Sequence, residues 1–325
     1  MNIKFYESND SLKNYFDEPL FSKYFNNITY IENSINEDEF NEIDYSTDII
    51  SVFVNCILDK STLQKFPNLR CITTRSTGYN HIDIDYCKSN GIAVYNVPDY
   101  GSNTVAEYSL ALILNLLRKV TESTLETKRS IFKQVTGRDL RGKTVGIIGT
   151  GKIGGSFAKL LKCFNVNIIA NDITKSEELI NLGVRYCTLD ELFQNSDIIS
   201  LHVPLLESTR SMINSKSLAK MKKGVIIVNT SRGGVININD LYESYINGHV
   251  SGIALDTFED ENTIIGESKT NYYSQNISVL LELNKFDNVI ITPHNAYNTV
   301  EAISRMNEIN ANNILDFING GLGNI

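Results

Sequence analysis

Nowhere in this chain do 18 apolar residues run together, so no segment is expected to cross a membrane as a helix. The opening MNIKFYESND lacks a basic stretch followed by a long apolar run, which argues against a secretory signal and for a cytoplasmic protein. Dense basic clusters are missing too. With a net charge of -8 and no arginine-rich tail, nucleic acid is not an expected partner. Cysteine is scarce and poorly arranged for cross-linking. Cys56, Cys71, Cys87, Cys163 and Cys187 are odd in number, widely spaced and form no CxxC. Neither a disulfide framework nor a metal cluster is expected, and the thiols read as reduced and mostly buried.

What is present is apolar alternation. The 325 residues exceed what one core usually serves, and a hydrophobic fraction of 42% suffices for two. Ile3–Tyr6, Ile49–Val54, Cys71–Thr74 and Ile92–Tyr95 are short apolar runs, each followed by polar or helix-compatible sequence. That is the pattern of a mostly parallel α/β sheet. Residues 104–120 predict a strong helix with Ala106, Leu110, Ile113, Leu114 and Leu117 on its apolar face and Asn103 or Thr104 as its cap. After a less apolar stretch over 121–142, a denser alternation predicts strands at 144–148, 167–171, 184–187, 197–201, 225–229, 251–255 and 289–292. A closing helix is expected over 299–319. The organisation this suggests is discontinuous: 1–100 as one α/β unit, 101–297 as a second, and 298–325 returning to the first.

Residues 144–155, TVGIIGTGKIGG, place Gly149, Gly151 and Gly154 as GxGxxG directly after an apolar strand and before a helix-compatible run. Gly149 permits a tight turn, Gly151 lets a diphosphate approach backbone N–H groups, and Gly154 allows close helix–strand packing. The next strand ends in Asp172, 23 residues after Gly149, where an acid binds the adenosine ribose hydroxyls. Asp172 would repel a 2′-phosphate and no arginine follows it, so NAD is expected rather than NADP.

Three later strands end in Arg232, Glu261 and His294. In a doubly wound sheet the carboxyl ends of strands face one crevice, so residues far apart in sequence can meet there. Reducing a 2-keto acid requires a cation for the carboxylate, which arginine's planar fork supplies, and an acid for the carbonyl oxygen, which histidine supplies. A carboxylate beside that histidine would orient it. Arg232, His294 and Glu261 take these three roles. His202 is a rival histidine that lines the nucleotide site instead if it is not catalytic; His81 and His249 have no clear role in the sequence.

GTGKIG, LHVPLLESTR, VNTSRGG, ALDTFEDE and ITPHNAY, in this order, resemble the D-isomer-specific 2-hydroxyacid dehydrogenase family over nearly the whole chain. The resemblance implies a doubly wound Rossmann NAD domain and a smaller flavodoxin-like α/β substrate domain. It implies that Arg232 binds substrate carboxylate and that Glu261 pairs with the catalytic His294. Ser76, Thr77 and Gly78 match a loop whose amides contact substrate, and Tyr100 and Tyr297 match pocket aromatics, although both could also be buried structural tyrosines. Cofactor contacts are implied for Thr104, the Lys152-Ile153 turn, His202, Val203, Pro204, Thr209, Asn229, Thr230, Ser231 and Asp256. A homodimer is implied as well.

The 26 residues between Glu261 and Asn288, together with PHNAY, resemble the D-lactate dehydrogenase branch, including its vancomycin-resistance type. Pyruvate and D-lactate are therefore the expected pair. A larger 2-keto acid such as 2-ketoisocaproate, or glyoxylate or hydroxypyruvate, is the alternative. A non-enzymatic NAD-sensing role, as in corepressors similar to this family, is a third reading, disfavoured because all three catalytic positions are filled. Arg75 either faces the pocket or pairs with an acid near its rim.

Overall fold

The computed structural model describes residues 1–37, 43–264 and 273–325. The chain divides into two compact units, one of Met1–Tyr100 with Thr299–Ile325 and one of Gly101–Asn298.

In the first unit, strands β1 (Asn2–Phe5), β2 (Asn27–Tyr30), β3 (Ile49–Val52), β4 (Cys71–Thr74) and β5 (Ala93–Tyr95) lie in the order β2-β1-β3-β4-β5. All pairs are parallel. This is the flavodoxin-like doubly wound order. The sequence did not announce β2: NITY is half polar, has no fully buried residue and pairs only with β1 at the sheet edge. The central strands β3 and β4 are buried at every position, as strands covered on both faces must be. On one face Ile50, Val52, Ile72 and Val94 pack with Tyr6, Leu58 and Phe66. On the other Ile3, Phe5, Ile49 and Cys71 pack with Phe16 and with Ala311 and Ile314 of the helix Val300–Ile318.

The second unit carries seven parallel strands: β6 (Thr144–Ile148), β7 (Asn167–Asn171), β8 (Arg185–Tyr186), β9 (Ile198–Leu201), β10 (Val225–Asn229), β11 (Val250–Leu255) and β12 (Val289–Ile291). Their order is β12-β11-β10-β9-β6-β7-β8. The chain winds outward both ways from the adjacent β6 and β9, so the topological switch point lies at their carboxyl ends. The period of two is visible in the cores. Ile199 and Ile227 belong to one cluster, while Ile198, Ile226 and Val228 belong to the other.

The long helix is Ser102–Arg118, and two expectations about it are corrected. Gly101 holds the N-cap position with no side-chain cap, rather than Asn103 or Thr104. Its buried face runs through Val105, Ser109, Leu112 and Leu116 beside Ala106, Ile113 and Leu117, leaving Leu110 and Leu114 only partly buried. The face was misplaced because a polar residue, Ser109, sits at its centre. There it donates to Val105 O and lies 2.9 Å from Thr230 Oγ1. Lys119, with φ 59°, ends the helix, and Val120–Lys128 follows without one buried residue.

Within the segment from Glu261 to Asn288 the structure shows a 3-10 turn, Glu261–Thr263, and a helix, Gln275–Leu283. Residues 265–272 of that segment lie outside the described residues. All five cysteines are unpaired; Cys56, Cys71 and Cys87 are buried, Cys187 is half-buried and Cys163 is exposed. Among the described residues no helix is long and apolar enough to cross a membrane, and no group of three or more His, Cys, Asp or Glu is placed to hold a metal.

Candidate active site

The loop after β6 is shaped by its three glycines, each for a different reason. Gly149 has φ +90°, which an L side chain rarely adopts, and a Cβ there would lie 2.6 Å from His202 O. Gly154 packs on the loop itself: its Cβ would meet Gly149 O at 2.0 Å. A Cβ on Gly151, by contrast, would meet nothing within 4 Å, so the main chain there faces open space. Gly151 caps the helix Lys152–Leu161, whose first N–H groups have no intrahelical partner. Lys152 and Ile153 form its first turn. An open main chain at a helix N-terminus fits a diphosphate.

Asp172, at the end of β7, accepts from Thr150 N–H at 2.5 Å and Thr150 Oγ1 at 3.1 Å, and from Thr174 N–H at 3.0 Å. Burial works to raise its pKa, but the donors of Thr174, Thr150 and Ile173 outweigh it and hold the carboxyl below its ordinary value. An ionised acid thus stands beside the glycine loop, so these residues fit a dinucleotide. Thr150 was not singled out in the sequence, although a polar residue inside a glycine fingerprint was the available signal.

His202 packs its ring against Phe157 at 5.2 Å, with Nε2 2.9 Å from Ser200 Oγ. Burial pushes its pKa down to about 3, so the imidazole is neutral near pH 7. It therefore shapes the glycine loop from beneath. The next turn is closed by Thr209, whose hydroxyl donates to Pro204 O at 2.6 Å and accepts from Leu206 N–H at 2.8 Å. Val203 is half-buried and Pro204 exposed beside it.

His294 lies in the loop after β12 with φ 51°, a left-handed conformation that costs a non-glycine residue about 1–3 kcal/mol in strain. Asp256, directly after β11 and fully buried, holds it there. The Asp256 carbonyl accepts from His294 N–H at 2.8 Å. One carboxylate oxygen accepts from Thr292 Oγ1 at 2.6 Å and Asn295 N–H at 2.8 Å, and the other from Ala296 N–H at 2.9 Å. So held, His294 Nδ1 lies 2.7 Å from Glu261 Oε1. Glu261 is itself steadied, since Oε2 accepts from Phe258 N–H at 3.1 Å. The neighbouring acids point elsewhere: Glu259 meets Arg210 and Asn276, and Asp260 meets Ser274 and Asn276. Tyr297 stands edge-on to the His294 ring, with centroids 6.3 Å apart.

Arg232 is half-buried after β10, in a turn built by Asn229. Asn229 Oδ1 accepts from the N–H and hydroxyl of Ser231, and Asn229 Nδ2 donates to Arg232 O. Thr230 meets Ser109. A Cβ on Gly233 would lie 2.0 Å from the Phe258 carbonyl carbon, so only glycine lets this turn pack on the Phe258–Glu259 main chain. The Arg232 turn and the Glu261 turn are thereby locked together. Among the described residues the guanidinium makes one hydrogen bond, to Ser231 O at 2.7 Å, and no ion pair. The structure brings Arg232, Glu261 and His294 onto adjoining turns. It gives the side chains of Asn229 and Thr209 work within their own loops and that of Asp256 work in the loop after β12, with Thr104 buried in the first turn of Ser102–Arg118.

In the first unit, Ser76, Thr77 and Gly78 follow β4. Ser76 Oγ donates to Gly78 O at 2.6 Å, and Thr77 Oγ1 donates to Val97 O at 2.9 Å. No acceptor takes the N–H of Thr77, Gly78 or Tyr79 among the described residues. Consecutive open amides of this kind suit an anion. Tyr100 is half-buried, and its carbonyl accepts from Arg305 Nε. Arg75 is buried and donates to Ser51 Oγ, Tyr6 O and Glu7 O.

The family described as D-isomer specific 2-hydroxyacid dehydrogenase, NAD binding domain, matches residues 110–296. The chain is 35% identical over 302 residues to 2-hydroxyacid dehydrogenase homolog 1 of Schizosaccharomyces pombe, covering 87% of this chain and 91% of that one. It is 38% identical over 274 residues to a hydroxypyruvate reductase of Thermotoga maritima, covering 84% and 85%. A D-lactate dehydrogenase from Aquifex aeolicus, solved with NAD and lactic acid, superposes with a TM-score of 0.91 at 37% identity, over 99% of this chain and 96% of that one. Similarity of that extent, reaching well beyond the glycine loop, makes this chain a member of the D-isomer specific 2-hydroxyacid dehydrogenase family, with an NAD-binding Rossmann-like domain and a smaller α/β substrate domain.

Proposed function

We propose that the protein reduces pyruvate to D-lactate with NADH in the cytoplasm. The observation that carries this reading is the His294–Glu261 pair at 2.7 Å on a turn adjoining that of Arg232. Bound NADH supplies the hydride. Arginine has five N–H donors, and Arg232 uses one within its own turn, which leaves its fork for the substrate carboxylate. Because Nδ1 of His294 faces Glu261, Nε2 is the nitrogen that hands a proton to the carbonyl oxygen, and that takes it back in the oxidation direction. Glu261 holds the ring and offsets the imidazolium charge.

The open amides after β4 are assigned to substrate binding by the first unit. The Gly149–Gly154 loop with Lys152 and Ile153 is assigned to the diphosphate, and Asp172 to the ribose. Thr104, Val203, Pro204 and the 229–231 turn are assigned to the rest of the cofactor. His202, Thr209 and the buried Asp256 shape those loops. Tyr297, edge-on to His294, limits the substrate side chain, which favours pyruvate. Tyr100 is assigned to substrate binding by the first unit. The similarity to a hydroxypyruvate reductase supports hydroxypyruvate as the second reading.

A second copy of this chain is the proposed partner. The helix Val120–Lys128 has no buried residue, and its Val120 and Leu125, with Ile131 and Phe132 just after it, the last 84% exposed, are exposed apolar side chains. Sedimentation should report a dimer.

NADH consumption over a panel of 2-keto acids, with chiral analysis of the product, tests the reading. Pyruvate should give the highest kcat/KM and D-lactate the product. His294→Ala should lower kcat by about 10²–10⁴-fold. Arg232→Ala should weaken substrate binding by about 2 kcal/mol, roughly 30-fold in KM. Rates near wild type in both variants would remove the assignment.

A further inference from the structure

We propose that His81 is a positioning residue that aims one of the substrate-binding amides of the first unit, the N–H of Tyr79, through a one-way chain of hydroxyls. This rests on the reading that the N–H groups of Thr77, Gly78 and Tyr79 bind substrate.

A trans peptide is planar, with its C=O and N–H pointing in opposite directions. The Gly78 carbonyl is held by Ser76 Oγ at 2.6 Å, so the N–H of Tyr79, on the same peptide, is turned away from Ser76. The Thr77 carbonyl is held by Asn96 Nδ2 at 2.8 Å, which sets the N–H of Gly78 in the same manner. Two successive amides are therefore aimed by what grips their partner carbonyls.

Counting protons gives the grip a direction. A hydroxyl has one hydrogen to donate. A carbonyl only accepts, so the Ser76 proton goes to Gly78 O. At the 2.7 Å contact between Thr74 Oγ1 and Ser76 Oγ, Thr74 must then be the donor. Its single proton being used, Thr74 must accept at the 3.1 Å contact with His81 Nε2. His81 thus carries its proton on Nε2, and the chain runs from His81 through Thr74 and Ser76 to Gly78 O. Both hydroxyl residues are buried, at 0% and 2% exposure, so a lost donor is not readily replaced by solvent. His81 is itself anchored: its carbonyl accepts from Leu58 N–H at 2.7 Å, next to the bridge between Leu58 and Ile82.

The test is steady-state kinetics of the full-length enzyme with NADH and pyruvate, run in parallel with hydroxypyruvate. His81→Phe keeps a ring and removes the donor. It should raise KM for the keto acid about 10-fold while kcat and KM for NADH stay within about 2-fold. His81→Gln, which returns an N–H at similar reach, should recover most of the loss. Thr74→Val, isosteric with its parent, breaks the same chain and carries the test if His81→Phe does not fold. In combination the two should be no worse than either alone, since they interrupt one path.

Unchanged KM in His81→Phe alongside a raised KM in Ser76→Ala would overturn the role of His81 and leave the amide reading standing. Fully additive effects of Thr74→Val and His81→Phe would also overturn it. If neither Ser76→Ala nor His81→Phe moves KM while Arg232→Ala does, the amide reading falls and this inference with it.

Discussion

Arg75 in the first unit and Asp256 in the second are both buried, at 3% and 0% exposure, and each stands directly after a strand, β4 and β11 respectively. The cation gathers acceptors: Ser51 Oγ in β3 and the carbonyls of Tyr6 and Glu7, which leave β1. The anion gathers donors: Thr292 Oγ1 and the N–H groups of Asn295 and Ala296. The difference lies in what is held. Arg75 ties together chain ends whose paths the parallel sheet already sets, so it secures a frame. Asp256 organises an irregular turn that no ladder holds and keeps His294 at φ 51°, so it secures the proposed reacting group. A buried charge stabilises only when its hydrogen-bonding capacity is met, and both meet that condition with opposite partners.

The comparison predicts its own breaking points. Asp256→Ala leaves two amides and a hydroxyl without acceptors and should cost about 3 kcal/mol of stability. It should also lower kcat, because the carboxylate no longer opposes relaxation of the His294 turn; a variant with full kcat at saturating substrates would show that the turn holds itself. Arg75→Met should cost about 2 kcal/mol with kcat within about 3-fold of wild type. A large kcat loss in that variant would erase the contrast between frame and reacting group.

A milder contrast lies within the glycine loop. Gly154→Ala forces a methyl into the Gly149 carbonyl and should destabilise by about 1–3 kcal/mol. Gly151→Ala meets nothing within the protein, so thermal melts should be unchanged while NADH titrations show weaker binding. An equal loss of stability in both variants would contradict the open face assigned to Gly151.

The smallest effect is one of pH. His202 has its pKa lowered from 6.5 to about 3 by burial, so the unfolded chain takes up a proton that the native protein refuses. Its contribution is intact above pH 6.5 and declines as the pH falls from there towards 3. The fall in melting temperature from pH 7 to pH 5 should therefore be shallower in His202→Asn; equal slopes would show that other groups govern acid sensitivity.

Much of the architecture was legible because parallel strands covered on both faces leave continuous apolar runs. β4, β6, β7 and β10 were read at their observed bounds. β2 escaped because an edge strand covered weakly needs no such run. Ser109 misled the helix reading because a buried hydroxyl satisfied by Val105 O looks, in sequence, like a solvent-facing one. Glu261 and His294 were legible as a pair only through the order of motifs, since 33 positions separate them. The positioning groups Thr150, Thr292 and Thr74 were not, because a threonine at a strand end carries no mark of what it will bond.

By themselves the residues of this chain determined two α/β units, a glycine loop followed by an acid, and a set of charged groups at strand ends. Local patterning suffices there, since alternation, turn chemistry and spacing are properties of short segments. Which nitrogen of His294 faces Glu261, which partners Glu259 and Asp260 take instead, and which donors and acceptors surround Asp256 and Arg75 were decided only when distant strand ends were packed together. Those outcomes depend on which donors and acceptors share a neighbourhood, and burial makes every such pairing obligatory.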